Sequence, residues 1–123
     1  MKIQQDNSVF GRLYMPTKPQ IASVYGEQLA QKVEVSRTKL AELAKDVDIF
    51  VSTYIRLTER QALPIFKVLV KNVDTLDKHN SLLDILKKIF VREGSYVDGM
   101  SDTIAEDIVA IAKRQKSKLE PLN

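Results

Sequence analysis

Leu40-Ala41-Glu42-Leu43-Ala44-Lys45-Asp46-Val47-Asp48-Ile49-Phe50-Val51-Ser52-Thr53-Tyr54-Ile55-Arg56-Leu57-Thr58 is the stretch on which the fold turns. Leu40, Leu43, Val47, Phe50, Tyr54 and Leu57 recur at alternating three- and four-residue steps, which on a helix makes one heptad-like apolar stripe. From Val47 onward, however, the stretch is dense in β-branched residues, and these also suit a strand. A strand at Thr53–Thr58 followed by helices at Pro64 and Asn80 is the weaker register. Pro64 would fall inside the helix that directly follows such a strand, at about 3 kcal/mol or more. The long helix is therefore the expectation.

Upstream, Val33-Glu34-Val35-Ser36 has extended character and places Ser36 as the N-cap of that helix. Before it, Thr17-Lys18-Pro19 makes a good helix start, because proline in the first turn gives up an N–H that has no partner there. The helix it opens runs to about Lys32, with Ile21, Val24, Tyr25 and Leu29 at helical spacing and Gly26 weakening it slightly. Residues 1–9 are polar and irregular. Between them and Pro16 lies a short apolar segment, Phe10-Gly11-Arg12-Leu13-Tyr14-Met15. Strand alternation turns Leu13 and Met15 one way and Phe10, Arg12 and Tyr14 the other.

Downstream, Leu63-Pro64 punctuates the chain, since a residue before proline leaves the α region. Phe66, Leu69, Val70, Val73 and Leu76 then mark a further helix, and Asn80 caps another carrying Leu82, Leu83, Leu86, Ile89 and Phe90. Gly94 to Gly99 is expected as a loop. Thr103-Ile104-Ala105-Glu106 has capping-box form and opens a last helix with Ile104, Ile108, Ile111 and Leu119 inward before Pro121.

With 123 residues, of which 44% are hydrophobic, there is material for one compact domain or two very small ones. Two modules of that size would each lack core, so pairing of subunits is the natural remedy. No cysteine is present, which excludes a disulfide scaffold, a thiolate nucleophile and a cysteine zinc site, and makes cytoplasm the expected compartment. No signal-peptide apolar region and no run near the roughly 20 residues that span a bilayer is present, so membrane insertion is not expected. Nineteen basic residues against 16 acidic give +3, a balance that permits nucleic acid without demanding it. The basic cluster Lys113, Arg114, Lys116 and Lys118 reads as a solvated helix end complementing the helix dipole.

Catalytic signals are few. His79 has no ligand-spaced companion, the carboxylates are dispersed along helix faces, and neither a glycine-rich phosphate loop nor a nucleophile elbow occurs. Neither an enzyme nor a cofactor or metal is expected. The informative constellation is strand, helix, turn and helix between residue 10 and about residue 57. A lone strand needs a partner for its backbone groups. Two copies pairing antiparallel would supply one, presenting Phe10, Arg12 and Tyr14 on a ribbon of the kind that enters a DNA major groove. Ser36-Arg37-Thr38-Lys39, at the start of a helix, would anchor phosphate. The bland alternative is an N-terminal arm packed on a helical bundle.

Arg12-Leu13-Tyr14-Met15-Pro16 and Val35-Ser36-Arg37-Thr38-Lys39-Leu40-Ala41-Glu42-Leu43-Ala44 together resemble the ribbon-helix-helix regulators, over roughly residues 10–50. Within that class the layout is most similar to the TraM proteins of conjugative plasmids. In these a Leu-Tyr-hydrophobic strand and a Ser-x-Thr helix start lead into a helical tetramerisation domain. The resemblance implies a homo-oligomer, dimer or tetramer, bound to duplex DNA at a plasmid transfer origin as part of the relaxosome. It further implies contact with a coupling protein and a relaxase, and repression of its own promoter. The implied DNA contacts are Phe10, Arg12, Tyr14, Lys18, Ser36, Arg37, Thr38 and Lys39. Two matches expected of that family are missing: an acidic residue near Lys87-Lys88 and an acidic C-terminal tail.

The expected fold is thus all-α: a ribbon-helix-helix region at residues 1–58 with one short intersubunit strand, then a helical oligomerisation region at residues 59–123. The alternative function is a non-enzymatic helical interaction module, such as a secretion chaperone or phage structural protein, using the Leu40–Leu57 stripe.

Overall fold

A computed structural model describes residues 11–73 and 95–119. Its elements in chain order are β1 (Leu13–Tyr14), α1 (Lys18–Tyr25), α2 (Glu27–Glu34), α3 (Arg37–Leu43), β2 (Val47–Leu57), β3 (Ala62–Asn72), β4 (Ser95–Asp98) and α4 (Ile104–Ser117). The four strands form one mixed sheet in the order β1-β2-β3-β4. The fold is α+β, and the all-α expectation is overturned.

The error lies in the opening stretch. Its helix ends at Leu43, and Val47–Leu57 is the central strand of the sheet. Val47, Ile49 and Val51 bury one face against helices, while Phe50 buries the other. The heptad-like stripe therefore mixes three environments: Leu40 and Leu43 on α3, Val47 and Leu57 on one sheet face, Phe50 and Tyr54 on the opposite one. Five β-branched residues in the strand pack well on a pleated surface, and tertiary packing decided for them.

β2 returns antiparallel as β3 through a turn at Thr58–Gln61. There Thr58 N–H bonds the Gln61 carbonyl (2.9 Å), and the Thr58 hydroxyl accepts from the N–H groups of Arg60 and Gln61. Pro64 sits within β3, where a helix was expected. Its carbonyl accepts from Gly99 N–H (2.8 Å), on the β4 side of the strand. N–H and C=O of one strand residue share a side, so the missing N–H subtracts nothing from the β2 ladder. The hairpin also straddles the boundary expected at residue 58, with Leu57 opposite Ala62.

β1 pairs parallel with β2 of its own chain, Leu13 against Ile49 and Tyr14 against Phe50. The strand thus has a partner within its own protomer, where only an intersubunit one was expected, and its β2-facing edge is occupied. The alternation itself holds: Leu13 and Met15 pack on the core and Tyr14 lies on the other face. Gly11 lets the chain enter this position, since a Cβ there would stand 1.8 Å from the Val47 carbonyl oxygen.

Between β1 and β2, the helices form the crossover that parallel strands require. α1 begins where the Thr-Lys-Pro start predicts, and Thr17 caps it with a capping box to Gln20. The single helix expected through Lys32 is broken at Gly26, whose φ of 100° lies where side-chain-bearing residues are strained. Ser36 stands at the N-cap position of α3 but its side chain does not cap it: the backbone is helical, the residue is 1% exposed, and the hydroxyl goes to the Val33 carbonyl (2.6 Å). Thr103 likewise makes no side-chain bond to the α4 backbone, its hydroxyl going to Asp107 (3.1 Å).

Ile21, Ala30, Val33, Leu40 and Ala44 from the crossover and Ile104, Ile108, Val109 and Ala112 from α4 meet Ile49, Val51, Phe66, Val68, Val70 and Val97 in one core. Each large apolar side chain buried there contributes about 1.5–3 kcal/mol. Two polar residues seat the end of α4. Lys116 reaches the Asp46 carboxylate (2.7 Å) and the Leu43 carbonyl (3.1 Å). Gln115 accepts from Val70 N–H and donates to the Val68 carbonyl, both at 2.8 Å. Phe10, Leu76, His79, Asn80, the expected helix from Leu82 to Phe90, Lys87-Lys88, Gly94 and Pro121 lie outside the described residues.

Candidate binding surface

Of the residues expected to read DNA, Phe10 lies outside the described residues and the others differ in exposure. Arg12 is exposed, and its backbone N–H bonds the Asp48 carboxylate (3.0 Å). The Tyr14 ring is half-buried and stacked on Phe50, centroids 4.7 Å apart and planes within 5°. One face of the ring is thereby taken up by packing. Lys18 begins α1 beside Pro19, Ala22, Ser23 and Glu27, around a shallow depression of its own.

At the expected phosphate anchor the chemistry is already committed. Ser36 is buried, and Arg37 gives Nε to both oxygens of Glu34 (3.0 Å each) and a terminal nitrogen to the Pro16 carbonyl. α2 and α3 are separated only by Val35 and Ser36, both helical in backbone, and Leu40 N–H already bonds the Ser36 carbonyl (2.9 Å). Thr38 and Lys39 alone of this group are exposed.

Lys39 instead helps to line a groove of about 430 Å3 between the α2–α3 turn and α4. Val35, 72% exposed, and Val109 with Ala105 and Ala110 form its apolar floor. Lys39 stands on one wall and Lys113 with Glu106 on the other. Among the described residues neither lysine is in an ion pair. Burial here is thus apolar in the middle and cationic on both sides. The sequence signal was present but diffuse: Ala105, Val109 and Lys113 recur every four residues, which places them on one helix face. In the sequence alone Lys113 groups with the basic end of the helix, and Val35 with an extended segment.

A second, smaller groove of about 280 Å3 follows β4, lined by Tyr96, Val97 and Asp98 and by Asp107, Ala110, Ile111 and Arg114 of α4. Electrostatic perturbation lies elsewhere. The Asp46 carboxyl is held below its ordinary value, chiefly by the hydrogen bond from Lys116, and this pair fastens α4 to the α3–β2 connection. Among the described residues no three His, Cys, Asp or Glu side chains come together as a metal site, and no helix is long and apolar enough to cross a membrane. Compared with known proteins, the chain matches no family model, no curated sequence and no solved structure.

Proposed function

We propose that this protein is a non-catalytic binding module whose α2–α3/α4 groove receives an acidic amphipathic segment of another protein. The observation that carries this reading is the apolar floor, with Val35 and Ala110 exposed beside Ala105 and the buried Val109, between two lysines that have no ion partner among the described residues. A contiguous apolar patch bordered by charge is a normal recognition surface. An amphipathic helix can lay its apolar side on such a floor and set carboxylates against Lys39 and Lys113. The interaction-module alternative from the sequence survives in this form, with the groove replacing the Leu40–Leu57 stripe.

Duplex DNA remains the second reading, supported by the exposed Arg12, Thr38 and Lys39 and by the net charge of +3. A plasmid transfer origin, a relaxase and a coupling protein belong to that reading.

Labelled protein titrated with an acidic Leu/Glu helical peptide and, separately, with a duplex oligonucleotide distinguishes the two. Peptide binding should shift the backbone signals of Val35, Val109 and Lys113, and Val35→Asp should weaken it by about tenfold or more, the loss of one buried aliphatic anchor. Val35 is exposed, so this variant leaves the core intact. Saturable duplex binding that ignores Val35→Asp but is lost in a Lys39→Glu/Lys113→Glu variant would instead establish the nucleic-acid reading. Shifts scattered away from the groove with both probes would overturn the assignment of this surface.

A further inference from the structure

From the outer edge of β4 we infer a second binding surface, one that pairs with another copy of this chain through a two-fold axis. β4 is the terminal strand of the sheet, and among the described residues no strand lies beyond it. Its hydrogen-bonding parity can be worked out. Gly99 N–H bonds the Pro64 carbonyl, and the register continues as Val97 opposite Phe66 and Ser95 opposite Val68. Residues alternate in the direction of their backbone groups, so Ser95, Val97 and Gly99 face β3 while Tyr96 and Asp98 face outward. The Asp98 carbonyl is taken by Ser101 N–H (3.1 Å). Among the described residues, both backbone groups of Tyr96 and the N–H of Asp98 have no partner and point outward along the groove.

An exposed strand edge is a template for another strand. What singles out a second copy is the arrangement of charge. Asp107 and Arg114 both line the groove and stand seven residues apart on α4, about 10 Å along one helix face. The Asp107 carboxylate is oriented by the hydroxyls of Ser101 (2.9 Å) and Thr103 (3.1 Å). The Arg114 guanidinium has no ion pair or hydrogen bond among the described residues. A two-fold axis through antiparallel β4 strands reverses the second α4 along the first. Each Arg114 then lies beside the other copy's Asp107. The patch is complementary to itself, which is the requirement of an isologous interface. Between the charged pairs the groove offers Ala110, which lets helices approach, and Tyr96, 56% exposed, which can be covered. The resulting dimer has one continuous eight-stranded sheet and keeps the Lys39 wall of the other groove outside the contact.

Sedimentation equilibrium at micromolar concentrations tests this directly. Wild-type protein should be a dimer. Arg114→Asp places two aspartates together in each pair, and Asp107→Arg places two arginines together; each should raise the dimer Kd by about tenfold or more. Circular dichroism verifies that each variant is folded, and Arg114→Asp removes no hydrogen bond of that side chain. An equimolar mixture of the two variants restores opposite charge at both pairs and should sediment as a heterodimer. Wild-type monomer across the micromolar range would overturn the proposal. So would a dimer that both substitutions leave unchanged, or variants that dissociate and fail to recombine on mixing.

Discussion

Gln115 should be worth more than its position on a helix end suggests. β4 begins at Ser95, opposite Val68, so no residue of β4 faces the N–H of Val70. The Gln115 side-chain amide occupies that place as a peptide group would. Its Oε1 accepts from Val70 N–H, and its Nε2 donates to the Val68 carbonyl and lies 3.3 Å from the Ser95 hydroxyl. Val70 and Val68 are 3% and 0% exposed, so water has little access to either group. Gln115→Ala leaves the Val70 N–H unpaired at about 1–3 kcal/mol and removes a bond to Val68 at about 0.5–1.5 kcal/mol. Against this, the variant no longer orders a long side chain, which returns up to about 1.5–2 kcal/mol. The net expectation is about 1–2 kcal/mol of destabilisation. At about 2.1 cal/mol/K of unfolding entropy per residue, a protein of this length loses about 4–8 °C in Tm. Urea denaturation followed by circular dichroism measures the free energy, and amide exchange at Val70 should lose its protection selectively. Gln115→Glu keeps the acceptor but sets an oxygen against the Val68 carbonyl, so at neutral pH it should cost at least as much as alanine. A Gln115→Ala variant within 0.5 kcal/mol of wild type (on the scale of an ordinary surface substitution), with Val70 still protected, would refute the reasoning.

Other changes follow from the same geometry. Gly26→Ala forces a Cβ into positive φ and should destabilise by about 1–2 kcal/mol although no atom stands within 4 Å of that Cβ; chemical denaturation would show the loss. Phe66→Ala removes the largest fully buried side chain and should cost about 3–5 kcal/mol in the same assay. Asp46→Asn cuts the carboxylate from Lys116, and because Asp46 is largely exposed the loss at neutral pH should be about 0.2–1 kcal/mol. The Asp46 carboxyl titrates lower in the folded chain than in the unfolded one. Its contribution is therefore present above the unfolded pKa and disappears as pH falls through the folded value. Melting curves of wild type and Asp46→Asn should converge in acid, and a constant gap at all pH values would show that the ion pair is not its cause.

How far the residues could be read depended on the range of the interactions that shape them. The helix start at Thr17 and Pro19 and the inward positions Ile21, Ile104 and Ile108 were legible because helix starts and helical spacing act within one or two turns. The alternation at Leu13, Tyr14 and Met15 was legible for the same reason. Ser36 failed because Val35 continued the helical backbone through it, so no cap was needed. The turn Thr58-Glu59-Arg60-Gln61 was missed because it holds no Gly, Pro, Asn or Asp, and without it β2 and β3 looked like parts of two helices. Of the candidate surface, Lys39 was named from sequence; Val35, Val109 and Lys113 become a site only when α4 packs beside the α2–α3 turn.

What the chain determined by itself is local: where helices can start, which residues must be buried, a mild positive charge, and a short strand that needs a partner. The partner was decided by tertiary structure. Val47–Leu57 satisfies either period until both faces of a sheet have to be covered, and then Ile49 and Phe50 are buried on opposite sides. Once β2 is a strand, Leu13 and Tyr14 pair with it inside the protomer, where loop closure costs less than bringing two chains together. β1 and β4 then become the two edges of one sheet, and the groove beside α4 follows the second of them.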